Sequence, residues 1–283
     1  MRRAGAIASL VLAGLLLAGA ARAADRYFQT SDGVRLHYVE VGRGRTIVMV
    51  PGWTMPAWIF DQQIRAFSRN WRVVAFDPRA QGDCEVAPGG YDHQRRGQDI
   101  AELIDRLGPE PVLLIGWSLG VLDSLAYVSA HGDRRLAGMV LVDNSVGEEP
   151  APIAPAHPAR PGPTLSHAEW MRRFVAGMFV HPQPRPWLDR LTAACLRTPP
   201  AAASALLAYP VPRSFWREAV YSTARPVLYV VRPKWAGQAA NLVAHRPNTE
   251  TVVMQGVGHA LFVDDPQSFD RVVEAFIHRL VWP

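Results

Sequence analysis

The apolar run Val112-Leu113-Leu114-Ile115 passes directly into Gly116-Trp117-Ser118-Leu119-Gly120, and residues 119 to 130 continue with helical character. This G-x-S-x-G between a strand and a helix constrains the fold more than any other feature. A sharp strand-to-helix turn crowds the backbone around its central residue. Glycines two before and two after remove side chains that would clash, and the serine hydroxyl is left exposed at the C-terminal edge of a sheet. Such a turn belongs to a mostly parallel sheet with helices on both faces.

The rest of the chain keeps that rhythm. Val34 to Val41 alternates like an early strand, and Arg45 to Val50 is a short apolar run stopped by Pro51-Gly52. Arg72 to Phe76, Met139 to Val142, Val227 to Val231 and Thr251 to Met254 read as further strands. Residues 95 to 107 place Ile100, Leu103, Ile104 and Leu107 at helical spacing. A final amphipathic helix is expected over 266 to 281, with Asp265 as N-cap and Pro266 at N1. The rhythm breaks after Glu149, where Pro150, Pro152, Pro155, Pro158, Pro161 and Pro163 impose an extended stretch. Residues 166 to 180 return to a helical pattern, and short helices are expected to about residue 222. The expected organisation is a catalytic domain of residues 24–146 and 223–283, with 147–222 inserted as a helical lid.

With 49% hydrophobic and 19% charged residues in 283, the chain can bury a large core, which excludes intrinsic disorder. Two cysteines cannot form a disulfide framework, and no Cys/His spacing suggests a zinc site. A single Cys84–Cys195 bridge stays open as an alternative in an oxidising compartment. Arg2 and Arg3, the apolar core of residues 4 to 20, and Ala21-Arg22-Ala23 form an export signal with an A-x-A cleavage site. Residues 1–23 are therefore expected to be removed, giving a periplasmic or secreted protein without a stable membrane anchor. Cleavage takes Arg2, Arg3 and Arg22 from the 30 basic residues, against 25 acidic ones, so the mature net charge is near +2. No basic cluster remains for a nucleic acid.

Serine needs a base to act as a nucleophile at neutral pH. His259, in Gly256-Val257-Gly258-His259-Ala260, lies after the last strand and before the last helix. A glycine-flanked loop there delivers an imidazole to the same sheet edge as Ser118. The remaining histidines fall in strands, at helix ends or in the insertion. The backbone N–H of Leu119, at a helix N-terminus, can hydrogen-bond an oxyanion.

The chain resembles the α/β-hydrolase fold over nearly all of its mature length. Pro51-Gly52-Trp53 stands where many members carry His-Gly-X. Phe76-Asp77-Pro78-Arg79-Ala80-Gln81-Gly82-Asp83-Cys84 resembles the family's D-x-R-G-x-G-x-S turn, with Cys84 where serine is common. Gly258-His259 with Phe262 and Asp265-Pro266 resembles its C-terminal histidine segment. Pro51-Gly52-Trp53 with Trp58 and Asp61-Gln62-Gln63 is most similar to the esterase and cofactor-free haloperoxidase branch. The resemblance implies a second oxyanion N–H from Trp53, and nothing in the sequence suggests a metal or an organic cofactor.

The acid departs from the family pattern. Members usually carry it after the penultimate strand, in V-x-G-x-x-D. Here Val227-Leu228-Tyr229-Val230-Val231 is followed by Arg232-Pro233-Lys234-Trp235-Ala236-Gly237, without a carboxylate. Asp143, after Met139-Val140-Leu141-Val142, is the preferred orienter of His259, with Glu148 and Glu149 as alternatives further along the loop. Asp77 and Asp123 read as structural, and Asp264 and Asp265 as helix-capping.

Together these residues point to a serine hydrolase that cleaves carboxylic esters through an acyl-enzyme. The expected substrate is a small-molecule ester with an apolar acyl or alcohol part. Trp117, Trp170, Phe174 and Met178 are candidates for its pocket; packing into the core is the competing reading of the lid residues. Epoxide hydrolase and haloalkane dehalogenase chemistry, by resemblance, would need an aspartate where Ser118 stands. An acyltransferase or perhydrolase with the same triad, and a catalytically silent binding protein, are the alternatives. Mature protein exported from a Gram-negative host should begin at Ala24 on N-terminal sequencing; a Met1 start in the membrane fraction would show a retained anchor instead.

Overall fold

The computed structural model of the protein describes residues 23–152, 165–208 and 210–283. Residues 1–22, where an export signal is expected, and the proline-rich residues 153–164 lie outside the described residues.

Eight strands form one sheet: β1 (Ala24–Gln29), β2 (Arg35–Val41), β3 (Thr46–Val50), β4 (Arg72–Asp77), β5 (Val112–Trp117), β6 (Leu136–Val142), β7 (Val227–Val231) and β8 (Thr249–Val253). Their spatial order is β1-β2-β4-β3-β5-β6-β7-β8. β2 runs antiparallel to β1 and β4, and all pairings from β4 through β8 are parallel. The helices are α1 (Asp61–Phe67), α2 (His93–Arg106), α3 (Leu119–His131), α4 (His167–Ala176), α5 (Arg185–Leu196), α6 (Pro200–Ala205), α7 (Arg213–Ser222), α8 (Ala236–His245), α9 (Leu261–Asp264) and α10 (Pro266–Phe276).

The central strands β3, β5 and β7 are buried along their whole length, because helices cover both faces. Alternate residues serve opposite cores. Val48, Leu114, Leu141 and Tyr229 join the helices α2, α3, α7 and α8 on one side. Ile47, Leu113, Val140 and Leu228 join α1 and α10 on the other, together with Met171 of α4 and Leu191 of α5. Cys84 belongs to the first core and Cys195 to the second; both are free, so the disulfide left open by the sequence is not formed.

Several boundaries differ from the sequence reading; β8, for one, starts at Thr249 and ends at Val253 rather than running from Thr251 to Met254. β1 carries no periodic signal, since Phe28 is its one buried residue; it is held as an edge strand by pairing with β2. The helix expected over 166 to 180 stops at Ala176, with Gly177 as its C-cap. The final helix changes to a π turn over Ile277–Val281. Asp265 does cap α10, accepting from the Ser268 N–H at 3.0 Å.

The turn between β5 and α3 places Ser118 at φ 55° and ψ −118°, a conformation that side chains rarely adopt. Its cost is tolerated because the surroundings fix it. A Cβ at Gly116 would sit 2.3 Å from the Gly120 carbonyl oxygen, and one at Gly120 would sit 2.2 Å from that of Val50. α3 therefore starts directly beneath the end of β3. Gly120→Ala should cost about 3 kcal/mol or more, because the obstructing atoms are backbone. Urea unfolding measures this; a loss under about 1 kcal/mol would contradict so tight a passage.

Candidate active site

Four loops meet at the C-terminal edge of the parallel strands. They follow β3, β5, β6 and β8, and they carry Trp53, Ser118, Asp143 and His259. Ser118 is half-buried, and its Oγ lies 2.8 Å from His259 Nε2. On the far side of the ring, Nδ1 lies 2.7 Å from Asp143 Oδ2. The three side chains thus form one continuous chain of hydrogen bonds, and the carboxylate contacting His259 is that of Asp143. Glu148 faces Asn241, and Glu149 pairs with Arg213 at 3.1 Å.

Each member is fixed from behind. The Ser118 N–H donates to the Val142 carbonyl at 2.9 Å, and the Asp143 N–H to that of Val230 at 3.0 Å. Asp143 has φ 51°, like Ser118 in the left-handed region. The next residue, Asn144, donates from Nδ2 to the Ser118 carbonyl at 2.8 Å. Its own carbonyl accepts from the Tyr229 hydroxyl at 2.6 Å. Burial, with Asp143 and Glu148 nearby, pushes that phenol far up, so it stays a donor. Among the described residues, no acceptor meets the backbone N–H of Trp53 or of Leu119. Both stand free beside the serine, Leu119 as the first residue of α3.

The Trp53 loop has a clamp that sequence reasoning missed. Buried Gln81 accepts from the Thr54 N–H at 2.8 Å and donates to the carbonyls of Gly52 and Met55 at 3.1 and 3.2 Å. Its place in the Asp77–Cys84 turn was the available signal. Asp77 is structural as expected: it accepts from the Ala57 N–H at 2.5 Å, from His37 Nδ1 at 2.6 Å and from the Asp83 N–H at 3.0 Å. His37, Asp77 and Asp83 are the one metal-compatible cluster among the described residues, but these hydrogen bonds already occupy the Asp77 oxygens. Cys84 Sγ, buried, donates to the Asp77 carbonyl at 2.7 Å. Burial, with Asp77 beside it, raises that thiol well above its ordinary range, and burial pushes Cys195 up to about 12; neither is a ready thiolate.

The remaining expectations divide. Trp117 is fully buried, contrary to a pocket role: its Nε1 donates to the His259 carbonyl at 2.8 Å, and its ring packs on Phe60 and Phe262. As the last residue of β5 it points into the core and braces His259 from behind. Met178 is buried too, and its carbonyl accepts from the Ala260 N–H at 3.2 Å. Trp170 and Phe174 stack at 5.2 Å and stand edge-on to Trp53 at 5.8 and 5.1 Å. Trp170 keeps 44% of its surface exposed. The Trp53 indole N–H, in turn, donates to the Ala203 carbonyl of α6 at 2.7 Å.

Comparisons with known proteins place the chain in a family. Residues 47–272 match the model of the alpha/beta hydrolase family, so the chain belongs to that family. A non-heme chloroperoxidase of Kitasatospora aureofaciens is 32% identical over 114 residues, 40% of this chain and 42% of the relative. The chain thus spans about two fifths of the length of the first curated relatives it matches. The esterase RhEst1 of a Rhodococcus species superposes with a TM-score of 0.76 at 24% identity, covering 90% of this chain and 99% of that one. A bromoperoxidase of Bacillus anthracis gives 0.73 at 18% identity, covering 90% and 100%. These two structures share the fold.

Asp264 is not the helix cap expected of it. Its carboxylate accepts from the N–H groups of Gly258 at 2.6 Å, Val180 at 2.8 Å and His181 at 3.2 Å. It thereby ties the His259 loop to the segment between α4 and α5. Asp264→Ala should leave these donors to water and cost about 1–3 kcal/mol. Amide hydrogen exchange at Gly258 should accelerate in the variant, and unchanged protection there would rule the tie out.

Proposed function

We propose that the protein is an exported hydrolase of carboxylic esters that works through Ser118, His259 and Asp143. One observation carries this reading: the unbroken Ser118 Oγ–His259–Asp143 hydrogen-bond chain, at 2.8 and 2.7 Å, beside two unpaired backbone N–H groups. In the first step, Ser118 Oγ attacks the acyl carbonyl carbon while His259 Nε2 takes the hydroxyl proton. The carbonyl π electrons move to oxygen, and the N–H groups of Trp53 and Leu119 hold that oxyanion. Collapse of the intermediate expels the alkoxide, which takes the proton back from His259. A water molecule, deprotonated by the same imidazole, then releases the acid and restores Ser118. Asp143 keeps the Nδ1 proton in place and balances the charge of the imidazolium.

The insertion between β6 and β7 serves in this reading as a lid. Trp53, Trp170 and Phe174 form an apolar aromatic wall suited to an apolar acyl or alcohol group, while Trp117 and Met178 support the site from the core. Epoxide opening through an aspartyl ester is disfavoured, because the nucleophile position holds Ser118. The chloroperoxidase and bromoperoxidase relatives favour one second reading, in which peroxide replaces water at the acyl-enzyme and a peracid leaves. Competition between water and added hydrogen peroxide for the acyl group separates the two.

Ser118→Ala should abolish turnover of p-nitrophenyl acetate and butyrate together with labelling by a fluorophosphonate. The fold should survive, because the hydroxyl has no structural partner besides His259. Asp143→Asn should lower kcat by on the order of 10⁴, since the amide favours the wrong imidazole tautomer. Labelling that persists in the alanine variant, or nearly full activity in the asparagine variant, would overturn these roles.

A further inference from the structure

We infer that Arg232 is a positioning residue of this site: it holds the Asp143 carboxylate in register with His259 from the end of the neighbouring strand. The inference rests on the Ser–His–Asp reading above and extends it. The Asp143 side chain has no exposed surface, so its charge must be met by donors. Among the described residues there are three. His259 Nδ1 contacts Oδ2 at 2.7 Å; the other two both belong to Arg232, whose Nε donates to Oδ2 at 2.6 Å and whose backbone N–H donates to Oδ1 at 3.0 Å. One residue thus grips both oxygens.

The grip has a rigid origin. β6 and β7 pair in parallel up to Val142 and Val230, and the Asp143 N–H continues that ladder to the Val230 carbonyl. Arg232 follows β7 directly, and Pro233 after it favours the extended backbone seen, φ −81° and ψ 166°. Its N–H is thereby aimed at the neighbouring strand end, where the Asp143 side chain takes the place of a ladder carbonyl. Nη2 comes within 3.4 Å of His259 Nδ1, so the guanidinium flanks the ring as well as the carboxylate. With two donors converging on Oδ2, the carboxylate cannot turn that oxygen away from the imidazole. Without the guanidinium, Oδ1 keeps its backbone donor while Oδ2 loses one of two.

A guanidinium acting through Asp143 affects the chemical step, whereas one contacting substrate affects binding. The side chain is 26% exposed, so the second role is the alternative to test. Arg232→Met and Arg232→Gln are made in the wild-type and Asp143→Asn backgrounds and assayed with p-nitrophenyl butyrate, folding being followed by thermal melting. In the wild-type background, Arg232→Met should lower kcat by about 10- to 100-fold, the range seen for outer hydrogen-bond partners, with KM within about threefold. Arg232→Gln, which keeps one donor near Oδ2, should fall between, and it carries the test if Arg232→Met does not fold. In the Asp143→Asn background the same change should alter kcat by less than about threefold, because the effect passes through the carboxylate. A kcat within about twofold of wild type overturns the proposal. So does a rise in KM at preserved kcat, or an equal loss in both backgrounds.

A readout independent of turnover separates this from failure of the ester reading. The strongly downfield proton shared by His259 Nδ1 and Asp143 should appear in one-dimensional proton NMR and vanish in Asp143→Asn. It should move or broaden in the Arg232 variants; an unaltered resonance there overturns the positioning role whatever the substrate proves to be.

Discussion

The passage of α3 beneath the end of β3 is the constraint on which the site depends. Gly120 lies so close to the Val50 carbonyl that no side chain fits between them. That closeness lifts Ser118 into a left-handed conformation at the sheet edge, and it brings the β3 loop, with Gly52 and Trp53, alongside the serine. A Cβ at Gly52 would itself come within 2.9 Å of the Ser118 Cβ. The raised serine and the free N–H groups beside it are therefore two consequences of one backbone contact. In the proposed reaction these donors would need no rearrangement as charge develops on the substrate, which is what makes such preorganised groups effective.

The carboxylate illustrates how a parallel sheet tolerates relocation of a site residue. The ends of β6 and β7 are hydrogen-bonded neighbours, and His259 reaches across from the loop after β8. An acid at the end of β6 can meet Nδ1 provided its own charge is accommodated. At Asp143 this is done without solvent, by a left-handed backbone turn and by Arg232 in the position next to it. Asp143 is fully buried while Arg232 is partly exposed, so removing the guanidinium leaves the carboxylate charge undercompensated, and the two residues are energetically interdependent.

Features carried by local spacing were legible in the sequence. Ser118 and its glycines, His259 between glycines, and the alternation of buried strands with helices all follow from residues close in the chain. Asp143 was reachable by elimination, since the segment after β7 holds no carboxylate. The supporting contacts were not legible, because they join distant residues: Arg232 meets Asp143 across 89 positions, Val180 meets Asp264 across 84, and Thr54 meets Gln81 across 27. Trp117 is a pocket candidate in the sequence alone. Strand alternation instead turns it inward, opposite to the neighbouring Ser118. β1 escaped notice for the converse reason: an edge strand with one buried residue has no periodicity to detect, and backbone pairing alone defines it.

The segment between β6 and β7 touches both halves of the site, but by different means. Around Gly177 to Gln183 it is fastened by directional bonds: the Met178 carbonyl takes the Ala260 N–H, and Asp264 takes those of Val180 and His181. A Cβ at Gly258 would stand 2.2 Å from that same Met178 carbonyl, so the two backbones are in contact. Trp170 and Phe174 are held over Trp53 only by ring packing, whose worth is about 0.5–1.5 kcal/mol per aromatic pair beyond burial. Displacing these rings exposes the Trp53 side of the serine and leaves the bonds that orient His259 intact. Movement of residues 177–183 would instead disturb the imidazole itself. The two aromatic side chains of α4 thus meet Trp53 through packing, while α4 itself is anchored in the core by Met171 and Val175 and the segment after it belongs mechanically to the histidine loop.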